Sequence, residues 1–217
     1  MNPWVLLVLA YLVGSVPTSW WVGRAVYGVD LRREGSGNLG ATNTFRVLGW
    51  RAALPVVVVD IAKGWLPAAM FAGWAGGLSF GWVLAFGAAA IAGHVFSVFA
   101  NFRGGKGVAT SAGVFLGLAP VATGVCVLLF AVLVGWTRMV SVGSLAAAVA
   151  LPPLIAFTPH QGGDSLLWFS LALSAFVIWA HRSNIGRLVR GEENRFGSSR
   201  SAAGAGDESG MTGEGEV

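Results

Sequence analysis

Seven apolar stretches, separated by short polar segments, constrain the fold more than any other feature of this sequence. Several are long enough to cross a bilayer as an α-helix, which needs roughly 17–25 residues. Only 11% of the residues are charged, too few to cover a surface that faces water. The sequence therefore predicts an all-α, polytopic membrane helix bundle of about seven transmembrane helices, some of them short. The stretches lie at approximately 4–23, 52–74, 80–100, 108–118, 121–136, 140–157 and 165–180.

The placement of positive charge decides between six crossings and seven, because the region 107–136 holds no charge and could be one long helix. With a break near Ala119-Pro120, every loop that carries Arg or Lys lies on one side of the membrane, and Lys63 alone lies inside a stretch. The positive-inside rule puts that side in the cytoplasm, with the N-terminus outside and the C-terminus inside. The fourth stretch is then too short to cross unaided, so tilted or half-crossing helices are expected there.

Three further features bear on organisation, partners and helix packing. Residues 1–195 are predicted to form the membrane domain, and 196–217, rich in Ser, Gly and Glu, a disordered cytoplasmic tail. The net charge of +4 is spread between apolar stretches, which indicates topology and no nucleic-acid partner. Glycines four residues apart predict close helix packing, at Gly73/Gly77 and Gly113/Gly117.

The first cytoplasmic loop, at 35–46, is rich in glycine and in side-chain donors. Its glycines match the G-x-G-x-x-G spacing of dinucleotide folds, but no strand or βαβ unit surrounds them. Glycines also let backbone amides converge on an anion, and a following helix start adds its positive dipole end. An ordinary Gly/Asn turn needs fewer donors than this loop supplies. The candidate phosphate-binding residues are Ser36, Gly37, Asn38, Thr42, Asn43 and Arg46.

The second loop surrounds one ammonium group, that of Lys106, with Gly104, Gly105 and Gly107. It is not a Walker A loop, because glycine follows the lysine and the first glycine of that motif is missing. The bare backbone, the ammonium and the helix start that follows predict a second anion site. The alternative is that the positive charge of this loop only sets the membrane topology. Arg103 alone would be enough for that, and the alternative leaves the glycines unexplained.

The third basic segment, 181–193, continues the last apolar stretch. His181, Asn184 and Leu188 recur at helical spacing, so the two polar side chains share a face. A basic segment held by anionic lipid is the alternative, which does not account for His181 and Asn184.

A few polar residues lie within or next to the apolar stretches and are secondary candidates. Asp60 and Lys63 are three residues apart, so they can neutralise each other, and structural pairing is as plausible as substrate contact. His94 fits an interior hydrogen-bond donor better than a catalyst. Ser141 and Ser144 begin a span level with the glycine loops, although helical serines usually bond to backbone. No His, Cys, Asp or Glu grouping has metal-ligand spacing, so no metal or cofactor is predicted.

Four segments in this order carry a family resemblance: GSGNLGATNTFR, DIAKG, GHVFSVFANFRGGKGVAT and HRSNIGRL. Together they resemble the bacterial acyl-phosphate:glycerol-3-phosphate acyltransferase family, from Trp4 to about Glu193. The chain departs from that pattern at Ser97, where proline is frequent, and at Arg103, where lysine is common. The resemblance implies an integral enzyme of the bacterial inner membrane. Such enzymes move a fatty acyl group from acyl phosphate to the 1-position of glycerol 3-phosphate, giving lysophosphatidic acid and phosphate, the first step of phospholipid synthesis.

The resemblance also implies roles for the candidate residues. Lys106 and the backbone of 104–107 would bind the donor phosphate, and Arg187 with Asn184 would hold glycerol 3-phosphate. His181 and Ser141 would position the reacting groups, while the residues of the first loop would line the shared pocket. Acyl phosphate, glycerol 3-phosphate and the lipid bilayer are the implied partners, with no cofactor.

Two other classes of function remain open. A transporter of phosphate or a phospho-ester would use the same donors, but transporters usually show repeat symmetry and a site at the membrane midplane. Here the donors lie on one face, and Asp60, Lys63 and His94 alone lie deeper. A non-catalytic lipid-binding scaffold would leave the glycine loops without a use.

Overall fold

The computed structural model describes residues 1–196, and within that range the chain is helical, without strands. The predicted tail, apart from Phe196, lies outside the described residues. The all-α prediction is confirmed. The helices are α1 (Pro3–Ser15), α2 (Thr18–Tyr27), α3 (Ala41–Leu48), α4 (Trp50–Trp74), α5 (Phe80–Val95), α6 (Val108–Leu118), α7 (Pro120–Thr137), α8 (Val140–Phe157), α9 (Gly163–Ala180) and α10 (Arg182–Val189), with a short 3-10 turn at Val98–Ala100.

The apolar helices correspond to the seven predicted stretches. Helices α4, α7, α8 and α9, and α5 together with the 3-10 turn, are each long and apolar enough to cross a membrane. Helices α1 and α2 form a pair bent by 43°, which together have the length and composition of one further span that is broken, or of a re-entrant loop. Helix α6 is shorter and ends at Leu118, so the chain breaks at Ala119-Pro120 as predicted. The bundle thus contains six possible full spans and one short apolar helix.

Buried apolar side chains fill the bundle in two main clusters. The larger lies between α6, α7, α8 and α9 and includes Val114, Phe115 and Ile155. The second joins α1, α4 and α5 through residues such as Leu6 and Phe86. The polar helices α3 and α10 lie outside these clusters, at the end of the bundle where α4 begins and α9 ends.

The bend between α1 and α2 exposes backbone carbonyls that need partners, since lipid cannot donate hydrogen bonds. Lys63 of α4 donates to the carbonyl oxygen of Val16 at 2.8 Å. The hydroxyl of Ser97 donates to the carbonyl oxygen of Ser15. Proline, frequent at position 97 in the family that the sequence resembles, could not donate this hydrogen bond. Two side chains from neighbouring elements therefore stabilise the break.

The buried charges of α4 belong to the same bend. Lys63 lies 2.8 Å from the carboxylate of Asp60, and both side chains are buried. Thr18, the first residue of α2, donates its hydroxyl to Asp60 at 3.3 Å. The ring of His94 lies 3.8 Å from the same carboxylate oxygen. Of the two alternatives open at Asp60 and Lys63, the structure supports pairing within the protein.

Glycines allow the backbones of α4 and α6 to touch. A β-carbon at Gly64 would overlap the carbonyl oxygen of Thr110, and one at Gly113 would overlap that of Ile61. Small residues at such crossings are what close helix packing in lipid requires. The packing role predicted for Gly113 is confirmed, and Gly117 makes ordinary contact with α4.

The packing role predicted for Gly73 and Gly77 is wrong. A β-carbon on either residue would have no neighbour within 4 Å in the described part of the chain. Gly77 has a positive φ of +89° and follows the last turn of α4, so it serves the turn toward α5. Four-residue spacing alone did not distinguish a helix crossing from a helix end.

This difference predicts opposite outcomes for two alanine substitutions. Gly113→Ala forces α4 and α6 apart, and overpacking typically costs about 1–3 kcal/mol. We expect its apparent melting temperature in detergent to fall by roughly 2–10 °C at a fixed heating rate. Gly73→Ala should leave that temperature unchanged or slightly higher, because alanine favours a helix over glycine by about 0.5–1 kcal/mol. Equal melting temperatures for the two variants would contradict the close α4–α6 crossing.

Candidate active site

The predicted loops converge at one end of the bundle. The ammonium of Lys106, in the second loop, donates to the side-chain oxygen of Asn184 on α10. The rings of Phe45 on α3 and Phe196 after α10 meet edge to face at 4.6 Å. The amide of Phe196 donates to the carbonyl oxygen of Arg138, between α7 and α8, at 2.9 Å. Four separate parts of the chain therefore meet here.

A carboxylate that sequence reasoning missed lies within this site. Glu193 accepts from the side-chain nitrogen of Asn184 at 2.7 Å and from Nε of Arg187 at 2.8 Å. Its side chain is only 5% exposed. In the sequence, Glu193 is recognisable only as an acidic residue at the end of a basic segment. Its neighbour Glu192 has the same position in the sequence pattern but lies on the surface. Side-chain chemistry alone could not separate the two.

Arg46 extends the cluster from α3. Burial lowers the pKa of its guanidinium, the Glu193 carboxylate opposes that shift, and Arg187 adds to it. Thr42 lies four residues earlier on α3, so the two side chains share one face of the helix. The structure thus brings the first loop close to the third, and the shared pocket stays a prediction.

The site holds more positive charge than its own carboxylate can balance. Burial, together with the positive charges of Arg187, Arg46 and Arg182, lowers the pKa of Lys106 to about 8, against the opposing effect of Glu193. Cations placed close together destabilise one another until an anion joins them. The electrostatics of the site therefore favour a bound anion.

His181 is buried at the junction of α9 and α10. Its Nδ1 lies 2.8 Å from the carbonyl oxygen of Val177. A carbonyl only accepts, so Nδ1 carries the proton and Nε2 of the neutral ring is left to accept. Burial, followed by the charge of Lys106, lowers the pKa of His181, while the Val177 hydrogen bond and Glu193 oppose the shift. The ring is therefore neutral at pH 7.

Ser141 is buried in the first turn of α8, beside the α7–α8 junction. Its hydroxyl has no hydrogen-bond partner among the described residues. Buried hydroxyls are rarely left unpaired, because each such group costs about 1–3 kcal/mol. Ser144 is also buried, one turn further along α8. The position of Ser141 suits the substrate contact predicted for it.

In the first loop, Asn43 shapes the backbone in place of the donation to phosphate predicted for it. Its side-chain oxygen accepts from the amide of Ser36 at 2.8 Å. Its nitrogen donates to the carbonyl oxygens of Leu31 at 3.1 Å and Glu34 at 3.0 Å. Both of its N–H groups are used, so the side chain has no donor left for a ligand.

The other predicted residues of the first loop lie at its surface or its rim. Gly37 takes a left-handed φ of +69°, which a turn requires. Ser36 is exposed, and Asn38 and Thr42 are half-buried. These side chains remain candidates for contact with a ligand.

The second loop is fixed to the end of α5 by its glycines. The amide of Gly104 donates to the carbonyl oxygen of Val95 at 2.9 Å, and the amide of Gly105 donates to the carbonyl oxygen of His94 at 3.2 Å. A β-carbon at Gly105 would overlap the ring of His94. These amides cap the helix, so the phosphate contact predicted for Gly104 and Gly105 would require two hydrogen bonds to break. Gly107 has a φ of +81° and begins α6.

Comparisons with known proteins agree on one family. The family model described as glycerol-3-phosphate acyltransferase matches residues 4–191. The chain is 41% identical to the glycerol-3-phosphate acyltransferase of Chlorobaculum tepidum, over 90% of this chain and 97% of that protein. It is 45% identical to that of Trichlorobacter lovleyi, over 86% and 94% of the two chains.

A solved structure is similar over nearly the same extent. The crystal structure of PlsY (YgiH), an integral membrane glycerol 3-phosphate acyltransferase, in its glycerol 3-phosphate form has a TM-score of 0.81 at 36% identity. The similarity covers 91% of this chain and 96% of that one. The lysophosphatidic acid form of PlsY gives a TM-score of 0.79 at 35% identity.

Proposed function

The chain belongs to the glycerol-3-phosphate acyltransferase family, and we propose that its acyl donor is an acyl phosphate. The transfer to the 1-position of glycerol 3-phosphate gives lysophosphatidic acid. The observation that carries the choice of donor is the excess of cations at one partly buried site, where Lys106, Arg46 and Arg187 act on one another. Such a cluster suits two phosphate groups, one on each substrate.

The residues divide between the two substrates by position. Lys106, at the start of α6, would bind the phosphate of the donor. Arg187 and Asn184, on α10, would hold glycerol 3-phosphate. Arg46 and Thr42, on the same face of α3, would line the space between, and Ser141 would donate its unpaired hydroxyl. Arg–phosphate contacts are frequently bidentate, which fixes orientation as well as affinity.

The reaction then needs orientation more than a strong catalyst, since an acyl phosphate has a good leaving group. The 1-hydroxyl oxygen of glycerol 3-phosphate attacks the acyl carbonyl carbon and forms the new ester bond. The bond from that carbon to the phosphate oxygen breaks, and inorganic phosphate leaves with the electron pair and the hydroxyl proton. Lys106 stabilises the charge that develops on the departing phosphate.

We propose an orientation in the bacterial inner membrane, which is supported by the residues at the two ends of the bundle. The site and the basic loops lie at the end where α4 begins. The terminal amine of Met1 donates to the carbonyl oxygen of Trp74, at the other end of α4. The positive-inside rule then puts the site and the C-terminus in the cytoplasm and the N-terminus outside. A lipid donor in the bilayer and a soluble acceptor can meet at that face.

A transport function has less support. Transporters usually place their site at the membrane midplane. The deep charges here, Asp60 and Lys63, pair with each other and with the bend between α1 and α2. These charges therefore have a structural use.

The donor is tested with purified protein, labelled glycerol 3-phosphate and palmitoyl phosphate. We expect lysophosphatidic acid and inorganic phosphate in equal amounts, with no turnover from palmitoyl coenzyme A. Turnover from the thioester without turnover from the acyl phosphate would overturn the proposal.

In that assay, Lys106→Met should lower kcat/KM about 10²–10³-fold, the usual loss when one charge-stabilising donor is removed. Wild-type kcat/KM should fall as the pH rises through about 8, because Lys106 loses its proton there. Lys106→Arg should recover part of the rate and keep it at higher pH, since arginine stays charged. Arg103→Met, an exposed cation of the same loop, is the control and should match wild type. Near-normal activity of Lys106→Met would remove Lys106 from the site.

We propose that the donor phosphate takes the hydroxyl proton, while His181 orients groups through Nε2. His181→Asn should then lower the rate equally across the pH range. If His181 were the base, activity would rise with pH through the lowered pKa of His181. His181→Asn would then abolish this rising limb of the pH–rate profile. Loss of that limb in the variant would assign the base to His181. His160→Asn, in the loop before α9, should change neither rate nor profile.

The orientation predicts which loops an impermeant thiol reagent can reach. In a Cys126→Ala background, cysteines placed at Ser79 and Gln161 should react in intact cells. Ser36→Cys should react only after the membrane is opened. All three positions are exposed, so access depends on the side of the membrane. Labelling at position 36 in intact cells would contradict the proposed topology.

A further inference from the structure

We propose that Glu193 is a positioning residue, whose carboxylate sets Asn184 and Arg187 in the orientation that receives glycerol 3-phosphate. This inference rests on the proposed function, in which Asn184 and Arg187 bind that substrate. Glu193 itself would touch neither substrate.

The geometry gives Asn184 one orientation. Its side-chain nitrogen donates to Glu193, and its oxygen accepts from Lys106. A carboxylate can only accept and an ammonium can only donate, so the amide cannot flip without losing both hydrogen bonds. The Glu193 carboxylate thereby fixes which side of Asn184 faces Lys106.

Among residues 1–196, the hydrogen bond that holds the Arg187 side chain is made by Nε. The second oxygen of Glu193 lies 2.8 Å from that nitrogen. The donors on the two terminal nitrogens of the guanidinium are outside this contact. A phosphate can therefore bind the end of Arg187 while Glu193 holds its side.

Burial separates Glu193 from its neighbour. The Glu193 side chain is 5% exposed, whereas Glu192 is 59% exposed and pairs with an Arg190 that is 60% exposed. Exposed ion pairs contribute little. Arg187, the partner of Glu193, is 31% exposed, so this pair is partly buried and the loss of its buried carboxylate is the costlier of the two. Two adjacent glutamates thus make ion pairs of similar length with very different consequences.

The chain after α10 is built to deliver this carboxylate. The amide of Glu192 donates to the carbonyl oxygen of Arg187 at 2.8 Å, which turns the chain back toward α10. Phe196 then anchors the segment on Phe45 and on the carbonyl oxygen of Arg138. Glu193 lies between these two attachments, so its position is set from both sides.

Glu193 also offsets the cations of the site. Lys106 is surrounded by Arg46 of α3 and by Arg182 and Arg187 of α10, and Glu193 is the group that opposes them. The Glu193 carboxylate also raises the pKa of His181, against the effects of burial and Lys106. Loss of the carboxylate would leave Lys106 less able to keep its proton.

The test compares Glu193→Gln with Glu192→Gln in the acyl phosphate assay. Glutamine can accept only one of the two hydrogen bonds, and its amide places a donor against a donor. We expect the KM for glycerol 3-phosphate to rise about tenfold or more in Glu193→Gln. The fall of kcat/KM at alkaline pH should also move to lower pH, because Lys106 loses its proton more easily. Glu192→Gln should match wild type in both.

Glu193→Asp is the conservative variant and keeps the charge on a shorter side chain. It should keep the wild-type pH profile while its KM for glycerol 3-phosphate rises less than that of Glu193→Gln. If Glu193→Gln does not fold in detergent, an unchanged KM in Glu193→Asp would by itself overturn the inference.

Two other outcomes would also overturn it. The KM of Glu193→Gln could equal that of Glu192→Gln, which would leave Glu193 without a role in binding. The KM of Glu193→Gln could fall below that of wild type, which would mean that the carboxylate competes with phosphate. A wild type that is inactive with acyl phosphate would instead overturn the proposed donor, on which this inference rests.

Discussion

The bend between α1 and α2 is the feature on which the rest of the structure depends. A helix that breaks inside an apolar bundle leaves carbonyls that only the protein can satisfy. Lys63 and Ser97 satisfy them from two different elements, and Asp60 both neutralises Lys63 and binds the first residue of α2. The break lets α2 leave the direction of α1 and lead into the first glycine loop.

The same cluster reaches the surface through one histidine. His94 lies beside Asp60, and its ring underlies Gly105 so closely that no side chain would fit there. The amides of Gly104 and Gly105 close the end of α5, which leaves Lys106 at the start of α6. Direct contacts through His94 therefore connect the buried charged residues of α4 to the glycine loop that carries Lys106.

Hydropathy and charge placement were enough to predict the helical bundle and the single face on which its basic loops lie. The side chains that converge there, such as Lys106 and Asn184, were predicted because glycine-rich loops and helical spacing mark them. Hydrogen-bond partners were not predictable in this way. Both side-chain N–H groups of Asn43 donate to backbone carbonyls of the loop. Glu193 follows α10 in the chain and accepts a hydrogen bond from Asn184 in the site. Both sets of hydrogen bonds depend on how separate segments of the chain pack against each other. No local sequence pattern predicts that packing.

The lowered pKa of Lys106 couples the site to the proton concentration around it. Near neutral pH a fraction of the molecules holds this lysine uncharged, because its pKa is about 8. An anion that binds beside it favours the charged form, so binding draws a proton from solution. Anion affinity and proton uptake are then two aspects of one equilibrium. A rise in the pH around the site would weaken anion binding there, without any change in the amount of anion or protein.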